Sequence, residues 1–279
     1  MLVIYWLHIF KKVMRKIFIF LIFSLFIFSY GFSAQLSLQP IEVNLDVVSG
    51  SSLNGAIKVR NGSSENITVI VYVEDFEYIP PFKGTKNPLP LGTVERSCGK
   101  WIKLNQQMLD IPAYGEREVS YTIDVPNNVK GSYWAVVFFE EKSQPIKSNI
   151  GVGLSLRVGC SFFLNTKDRA KKLDLKETVG EVNALKGRLC NEGDTLIISS
   201  GSFYIVNKEG IGVQRGVLPM FFLPPLKETS FDIVGLQDLL PESYTLYLTF
   251  DLGEGDSLFR EIDFVKKEDG KINIKEIRD

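Results

Sequence analysis

Residues 119–125 read Val119-Ser120-Tyr121-Thr122-Ile123-Asp124-Val125, and this stretch is the strongest indication of the fold. Its apolar and polar side chains alternate, as they do in a β-strand that is buried on one face only. Residues 56–59 and 67–73 are strand-like in the same way, and turn-forming residues follow the first of them. After the N-terminal region, no segment keeps the apolar spacing of a helix over several turns. Many short strands joined by turns predict an all-β fold.

The chain divides into two halves of similar length at a polar stretch, residues 165–172, that suits an exposed linker. In each half a strand leads to a proline and then to a Ser-Tyr pair that opens the next strand, Ser132-Tyr133 in the first and Ser243-Tyr244 in the second. We therefore predict two tandem immunoglobulin-like β-sandwich domains, residues 35–164 and 173–279. We also expect a tyrosine corner in both, where the tyrosine hydroxyl bonds back to the preceding turn.

The N-terminal region has the features of a secretory signal peptide. Four basic residues, the last of them Lys16, precede an apolar run at residues 17–30, and small residues follow it up to Ala34. The run is shorter than a membrane span, which needs about 20 residues. We predict that residues 1–34 are a signal peptide, with Met14 as an alternative start, and that the protein acts in the periplasm or at the cell surface. An uncleaved signal would instead tether it to the membrane.

Composition excludes most familiar catalytic chemistry. The only histidine is His8, so the chain without its predicted signal peptide has none, and Ser-His-Asp, Cys-His and His-ligated metal sites cannot form. The sequence also lacks the common nucleotide-binding and hydrolase motifs. Without residues 1–34, 28 basic and 33 acidic side chains remain, and this net charge of −5 gives no reason to expect nucleic acid as a partner. We predict a protein that is not an enzyme and that uses no cofactor or metal.

The three cysteines, Cys98, Cys160 and Cys190, are an odd number and have no spacing typical of a metal site. They predict one or two buried thiols, with one structural disulfide as an open alternative. Three carboxylates cluster in the glycine-containing stretch 251–256. Their spacing is not that of an EF-hand, so ordinary turn formation is favoured over calcium binding.

Residues 36–164 resemble the N-terminal domain of PapD-like periplasmic chaperones and of the related cell-surface proteins that accompany WxL proteins. The resemblance rests on the strands at residues 38–43 and 69–73, on the stretch 59–62 between them, on residues 101–103, and on residues 125–126 leading to 131–135. It implies that the last strand of this half is added to the incomplete sheet of a partner. Pilus chaperones of the family also hold a partner's terminal carboxylate with a basic pair. Here the opening strand has Glu42 and Asn44 at that place, and Arg157 stands alone.

Two surfaces are candidate partner-binding sites. The last strand of the first half places Leu154, Leu156 and Val158 on one face and Arg157 on the other. The edge of such a strand can bind an extended segment through backbone hydrogen bonds, while alternate side chains fill pockets. The alternative is that this apolar face packs into the core of its own domain.

The second candidate surface lies on residues 133–139, which are apolar on both faces. A strand with one buried face does not need the second set, Trp134, Val136 and Phe138. Either another element covers them, such as the second half or the proline-rich loop at residues 80–100, or they bind a partner. The loop is itself either functional or a mobile crossover.

The sequence thus predicts an exported protein-binding module of chaperone-like architecture that captures or assembles another envelope or surface protein. The alternative is a structural or adhesive component of the cell envelope that binds wall polysaccharide or a surface-layer protein, the former through exposed aromatic side chains.

Overall fold

The computed structural model describes residues 36–142 and 155–279. The predicted signal peptide and Leu154 lie outside these ranges. The described residues form twenty β-strands and two single turns of 3-10 helix, at Gly99–Trp101 and Leu236–Asp238. None of these helical turns is long and apolar enough to cross a membrane. The all-β prediction is confirmed.

The first half contains ten strands, which are β1 (Leu36–Gln39), β2 (Glu42–Val47), β3 (Ser52–Asn61), β4 (Ile67–Tyr78), β5 (Lys86–Leu89), β6 (Ile102–Leu104), β7 (Met108–Ile111), β8 (Glu116–Asp124), β9 (Ser132–Glu141) and β10 (Arg157–Thr166). One sheet has the order β1-β3-β8-β6, and the other has the order β2-β10-β9-β4-β5, with β7 also paired to β4. The chain changes sheets at its start, because β1 pairs with β3 whereas β2 pairs in parallel with β10. The alternating stretch lies in β8, where Val119, Tyr121 and Ile123 are buried and Ser120 is exposed.

The second half contains the other ten strands, which are β11 (Leu173–Glu181), β12 (Ala184–Asn191), β13 (Ile197–Ser199), β14 (Gly201–Asn207), β15 (Gly212–Val217), β16 (Phe221–Leu223), β17 (Glu228–Ile233), β18 (Ser243–Gly253), β19 (Asp256–Lys266) and β20 (Ile272–Arg278). The smaller sheets are β11-β12-β17 and β13-β16, and the large sheet has the order β15-β14-β18-β19-β20. The two halves are immunoglobulin-like β-sandwiches, as the sequence predicts.

A buried asparagine closes an equivalent strand end in each half. Asn61 ends β3 and Asn191 ends β12, and both side chains are fully buried. In each case the amide nitrogen donates to the carbonyl four residues later, at 2.7 Å, and to a second carbonyl farther along the chain. The amide oxygen accepts the backbone N–H two residues later. The two halves therefore close this strand end in the same way.

Within residues 36–142 and 155–279, the predicted tyrosine corner forms in the second half alone. The Tyr244 hydroxyl donates to the carbonyl of Leu240 at 2.9 Å. Tyr133 instead packs against the ring of Trp101, with 4.5 Å between ring centres, so the prediction of a corner there is wrong. The turn before Tyr133 contacts the other half of the molecule, because the N–H of Ser132 donates to a carbonyl of the loop after β12.

The proline-rich loop is bound to the large sheet of the first half. Asp75 in β4 is fully buried, and its carboxylate accepts the backbone N–H groups of Gly92 (2.8 Å), Thr93 (2.8 Å) and Val94 (3.0 Å), together with the hydroxyl of Ser97. The loop also supplies β5, which pairs with the end of β4. A mobile crossover is therefore not what the structure shows.

The connection between the halves is short and partly buried. β10 continues to Thr166, so only residues 167–172 lie outside strands. Arg169, whose side chain is only 11% exposed, bridges Asp46 of the first half (2.7 Å) and Glu254 of the second (2.5 Å). The predicted linker is thus an ion-paired junction.

Candidate partner-binding site

β10 is paired completely on one side and only partly on the other. β9 pairs with it along nearly its whole length, whereas β2 pairs with it only from Ser161 onward. The N–H of Ser161 donates to the carbonyl of Ile41 at 3.1 Å, where this second pairing begins. Within the described residues, Arg157–Cys160 has no strand on that side, and we name this segment the open edge. Because backbone groups alternate along a strand, Arg157 and Gly159 direct their N–H and C=O groups toward the open side, as Ser161 does toward β2.

The apolar side chains of the open edge face the core of their own sandwich. Cys160 is fully buried, and Val158 and Leu156 are half-buried against the same core cluster. Much of this apolar face therefore packs into the core of its own domain, as the alternative holds. Contact of Leu156 and Val158 with a partner stays a prediction. Leu154 lies outside the described residues.

Arg157 lies on the outer face of the sheet and covers Phe138. Its guanidinium is 3.9 Å from the centre of the Phe138 ring, and its Nη1 lies 3.3 Å from the Tyr72 hydroxyl and 3.4 Å from the Glu74 carboxylate. The hydrogen bond with Tyr72 raises the pKa of Arg157, while burial raises the pKa of Tyr72. The Phe138 ring is half-buried beneath the Arg157 guanidinium, and the Arg157 side chain is itself 38% exposed.

The other two residues of the predicted apolar surface are inside the molecule. Trp134 is 3% exposed and Val136 is 6% exposed, and both belong to a core cluster that extends into the second half. The indole N–H of Trp134 donates to the carbonyl of Phe76 at 2.9 Å. The prediction that Trp134 and Val136 form a partner-binding surface is therefore wrong. Another element covers Trp134 and Val136 instead, which is the alternative given by the sequence.

Both predicted covering elements contribute. Tyr78 of β4 lies 6.4 Å from Trp134 between ring centres, and Phe222 of the second half stacks on Tyr78 at 5.2 Å. The N–H of Phe222 donates to the carbonyl of Phe82 in the proline-rich loop at 2.7 Å. The apolar second face of β9 is thus the site at which the two sandwiches join.

Lys86 is a further candidate site residue, which sequence reasoning missed. Its ammonium lies 2.9 Å from the Ser161 hydroxyl, at the inner end of the open edge, and 4.7 Å from the centre of the Phe76 ring. Burial lowers the pKa of Lys86, and the charge of Glu42 opposes this effect. Lys86 forms no ion pair with any described residue.

Tyr78 of β4 pairs with Lys86 of β5. Its hydroxyl is a second polar group in this region. It is buried without a hydrogen-bond partner in the described part of the chain, and burial raises its pKa. The ammonium of Lys86 is 6.0 Å from the centre of the Tyr78 ring. A buried hydroxyl without a partner is rare in folded proteins, but this one is closed to solvent. The accessible group here is the ammonium of Lys86, which can bind an acceptor oxygen from outside the chain.

The cysteine thiols and the acidic turn add no further ligand-binding group to this site. All three cysteines are free thiols, and burial raises the pKa of Cys160 to about 12. In the acidic turn, Glu254 pairs with Lys171 at 3.0 Å as well as with Arg169, and Asp251 accepts the N–H of Gly253. The described residues contain no group of side chains that could hold a metal ion.

Comparison of the sequence with known protein families and with curated proteins finds no match. Solved structures match the fold. A chain from a chaperone–tip adhesin complex of CFA/I fimbriae biogenesis superposes with a TM-score of 0.51 at 16% identity, covering 87% of this chain and 99% of its own length. The chain has the PapD-like chaperone fold.

Two further chaperone structures match the PapD-like fold less closely. The class 5 fimbriae chaperone CfaA has a TM-score of 0.48 at 13% identity and covers 80% of this chain and 97% of its own. A chain of the CsuC–CsuE chaperone–tip adhesion subunit complex of Acinetobacter baumannii has a TM-score of 0.44 at 11% identity, with coverages of 82% and 98%. At 16% identity the match to the CFA/I complex establishes the fold. The open edge and Lys86 are features of this chain's own geometry.

Proposed function

We propose that this chain is an exported, non-enzymatic, chaperone-like protein that captures an extended segment of another exported protein by strand addition. The observation that carries the proposal is the open edge of β10. β2 occupies the adjoining position farther along β10, so an incoming strand can continue the line of β2 and complete the sheet. The PapD-like fold supports this use, because a matching structure is a chaperone–tip adhesin complex.

Glycine at position 159 lets neighbouring side chains cover the outer face of the open edge. A Cβ atom on Gly159 would lie 2.8 Å from Val136 and 2.9 Å from the Phe138 ring, so these two side chains already occupy that place. A captured strand would therefore gain its affinity at this position from backbone hydrogen bonds.

Lys86 gives the incoming strand a defined end. Its ammonium lies where β2 begins to pair with β10, so it marks the limit of the open edge. We propose that it binds a carboxylate of the captured segment. Lys86 then provides, from β5, the positive charge that pilus chaperones of the resembled family place on other strands. This assignment also accounts for Glu42 and Asn44 at the position where the resemblance implies a basic residue.

A pair of substitutions at one position tests strand addition. Arg157→Ala removes only the side chain, whereas Arg157→Pro also removes the N–H that faces the open side, and proline is tolerated at such edge positions. Both variants and the wild type are used to capture partners from an envelope extract, and bound proteins are identified by mass spectrometry. We expect Arg157→Ala to retain its partner and Arg157→Pro to lose it by more than about tenfold. Equal capture by the proline variant with an unchanged melting temperature would contradict the proposal.

Lys86 is tested on the partner so identified. Lys86→Gln should weaken binding by about tenfold, because one charge-assisted hydrogen bond is lost. Lys83→Gln, in the same loop, is the matched control and should bind as the wild type does. Titration of the purified partner measures both affinities, and equal affinities for the two variants would remove Lys86 from the site.

A further inference from the structure

The outer face of the large sheet in the second half carries a row of side chains that crosses all five strands. Cross-strand pairing places Arg215 of β15 opposite Tyr204, Tyr204 opposite Tyr247, Tyr247 opposite Glu261, and Glu261 opposite Arg278 of β20. Aromatic side chains occupy the middle of this row and charged side chains occupy its ends. Neither the open edge of β10 nor the junction between the halves uses this face.

Tyr204 lies down on the sheet because its neighbour is a glycine. A Cβ atom built on Gly212 of β15 would lie 1.8 Å from the Tyr204 hydroxyl oxygen and 2.5 Å from the adjacent ring carbon. Only glycine therefore allows the ring to cross β15 in this orientation. The residue remains 45% exposed, so part of the ring is available from solvent.

Two more rings adjoin it on the same face. Tyr247 and Phe259 stack with 6.1 Å between ring centres and 19° between ring planes, and Phe259 is 41% exposed. Thr249 lies opposite Phe259, which brings a hydroxyl beside the rings. Tyr204, Tyr247 and Phe259 are named the aromatic platform.

The charges around the platform select the chemistry of its ligand. The guanidinium of Arg278 is already paired with the carboxylates of Glu261, Asp263 (2.8 Å) and Glu276. Carboxylates outnumber guanidinium groups here, so phosphate- and sulfate-bearing polymers are repelled. Neutral polyhydroxyl compounds are not repelled, and both carboxylates and guanidinium groups form hydrogen bonds with hydroxyls.

We propose that the aromatic platform binds a neutral glycan chain. Aromatic faces carry negative quadrupolar charge, and the C–H groups on one face of a sugar ring carry partial positive charge, so the two stack. The hydroxyls at the edge of the sugar then reach Glu261, Arg278 and Thr249. This site is separate from the open edge and is independent of the proposed chaperone function.

Affinity electrophoresis of the intact protein tests the platform directly. Native gels containing hydroxyethylcellulose, xylan, galactomannan or yeast mannan offer neutral glycans, while dextran sulfate and single-stranded DNA offer anionic polymers. Four proteins are compared: the wild type, Tyr204→Ala/Phe259→Ala, Gly212→Val and Tyr114→Ala. Tyr114 is 66% exposed in the first half and serves as the matched aromatic control.

We expect at least one neutral glycan to retard the wild type and Tyr114→Ala equally. The double variant should bind about tenfold more weakly because two stacking contacts are lost. Gly212→Val should bind more weakly as well, because its side chain lifts the Tyr204 ring without removing it. Melting temperatures show that each variant is folded. The proposal is overturned if no neutral glycan retards the wild type, if only the anionic polymers do, or if the folded double variant is retarded as the wild type is.

Discussion

The outer faces of the two large sheets carry aromatic and apolar side chains with opposite fates. In the first half, Trp134 and Val136 are covered by the neighbouring sandwich, and they help to join the molecule. In the second half, Tyr204 and Phe259 lie on the face of a similar sheet and remain accessible. The apolar content of a strand face therefore does not decide by itself whether the face is buried; the placement of the neighbouring domain does.

Removing Asp75 should have the largest effect, because only the first half depends on a buried carboxylate. Asp75→Ala leaves the N–H groups of Gly92, Thr93 and Val94 without their acceptor. We expect the free energy of unfolding to fall by about 4 kcal/mol, since three part-buried donors lose a charged acceptor. Urea denaturation measures the loss, and Glu77→Ala, at an exposed position of the same strand, is the control. A loss no larger than that of the control would show that the loop does not need this anchor.

The paired asparagines offer a test of equivalence between the halves. Asn61→Ala and Asn191→Ala each remove the two donated hydrogen bonds and the one accepted bond that the two buried strand ends share. Asn61→Ala also removes a longer bond to the Ile111 carbonyl and a bond from the Ser63 hydroxyl. We expect each substitution to lower the free energy of unfolding by about 3 kcal/mol. Denaturation curves for the two variants should superpose. A difference of more than about 2 kcal/mol would break the structural equivalence of the two positions.

The tyrosines should respond differently, because only one of them forms a corner. Tyr244→Phe removes the hydrogen bond to Leu240 and should cost about 1 kcal/mol, whereas Tyr133→Phe should be close to neutral. Thermal unfolding of both variants separates the two cases. If Tyr133→Phe were the more harmful change, the assignment of the corner to the second half would be incorrect.

The smallest effect concerns the charge at the junction. Lys171, followed by Arg169, lowers the pKa of Glu254 below its ordinary value of 4.5. A lowered pKa in the folded state means that the ionised carboxylate stabilises the fold above about pH 4.5, and that this contribution is lost as the pH falls through the folded value. The melting temperature of the wild type should exceed that of Glu254→Gln at pH 6, and the difference should shrink as the pH is lowered below 4.5. A difference that does not shrink would assign the effect to packing.

Alternation of apolar and polar residues predicts a strand well, because each side chain reflects whether its own face is buried or exposed. Residues 119–125 predict β8 correctly, and the two faces of β9 predict that Trp134 needs a cover. The last strand of the first half is also predicted, but alternation cannot show that β2 stops pairing at Ser161 and leaves the open edge.

Long-range hydrogen bonds explain what the sequence does not reveal. Asp75 binds N–H groups 17 to 19 residues away, and backbone donors have no sequence signature. Lys86 reaches the site because β5 pairs with β4 and sets its ammonium beside Ser161, 75 residues later. The same limit applies to Tyr133, whose Ser-Tyr pattern is right for a corner although its turn contacts the other half instead.

The shared core at the junction has a consequence for the order in which the molecule is made. Trp134, Val136 and Phe163 are buried in a core that also contains residues of the second half, and Phe222 packs against it. Phe222 is synthesised more than 50 residues after Phe163. Synthesis proceeds from the N-terminus, so the first sandwich exists for a time with this aromatic face bare. A protein that we propose to bind the incomplete sheets of others therefore exposes an apolar surface on its own first domain during synthesis.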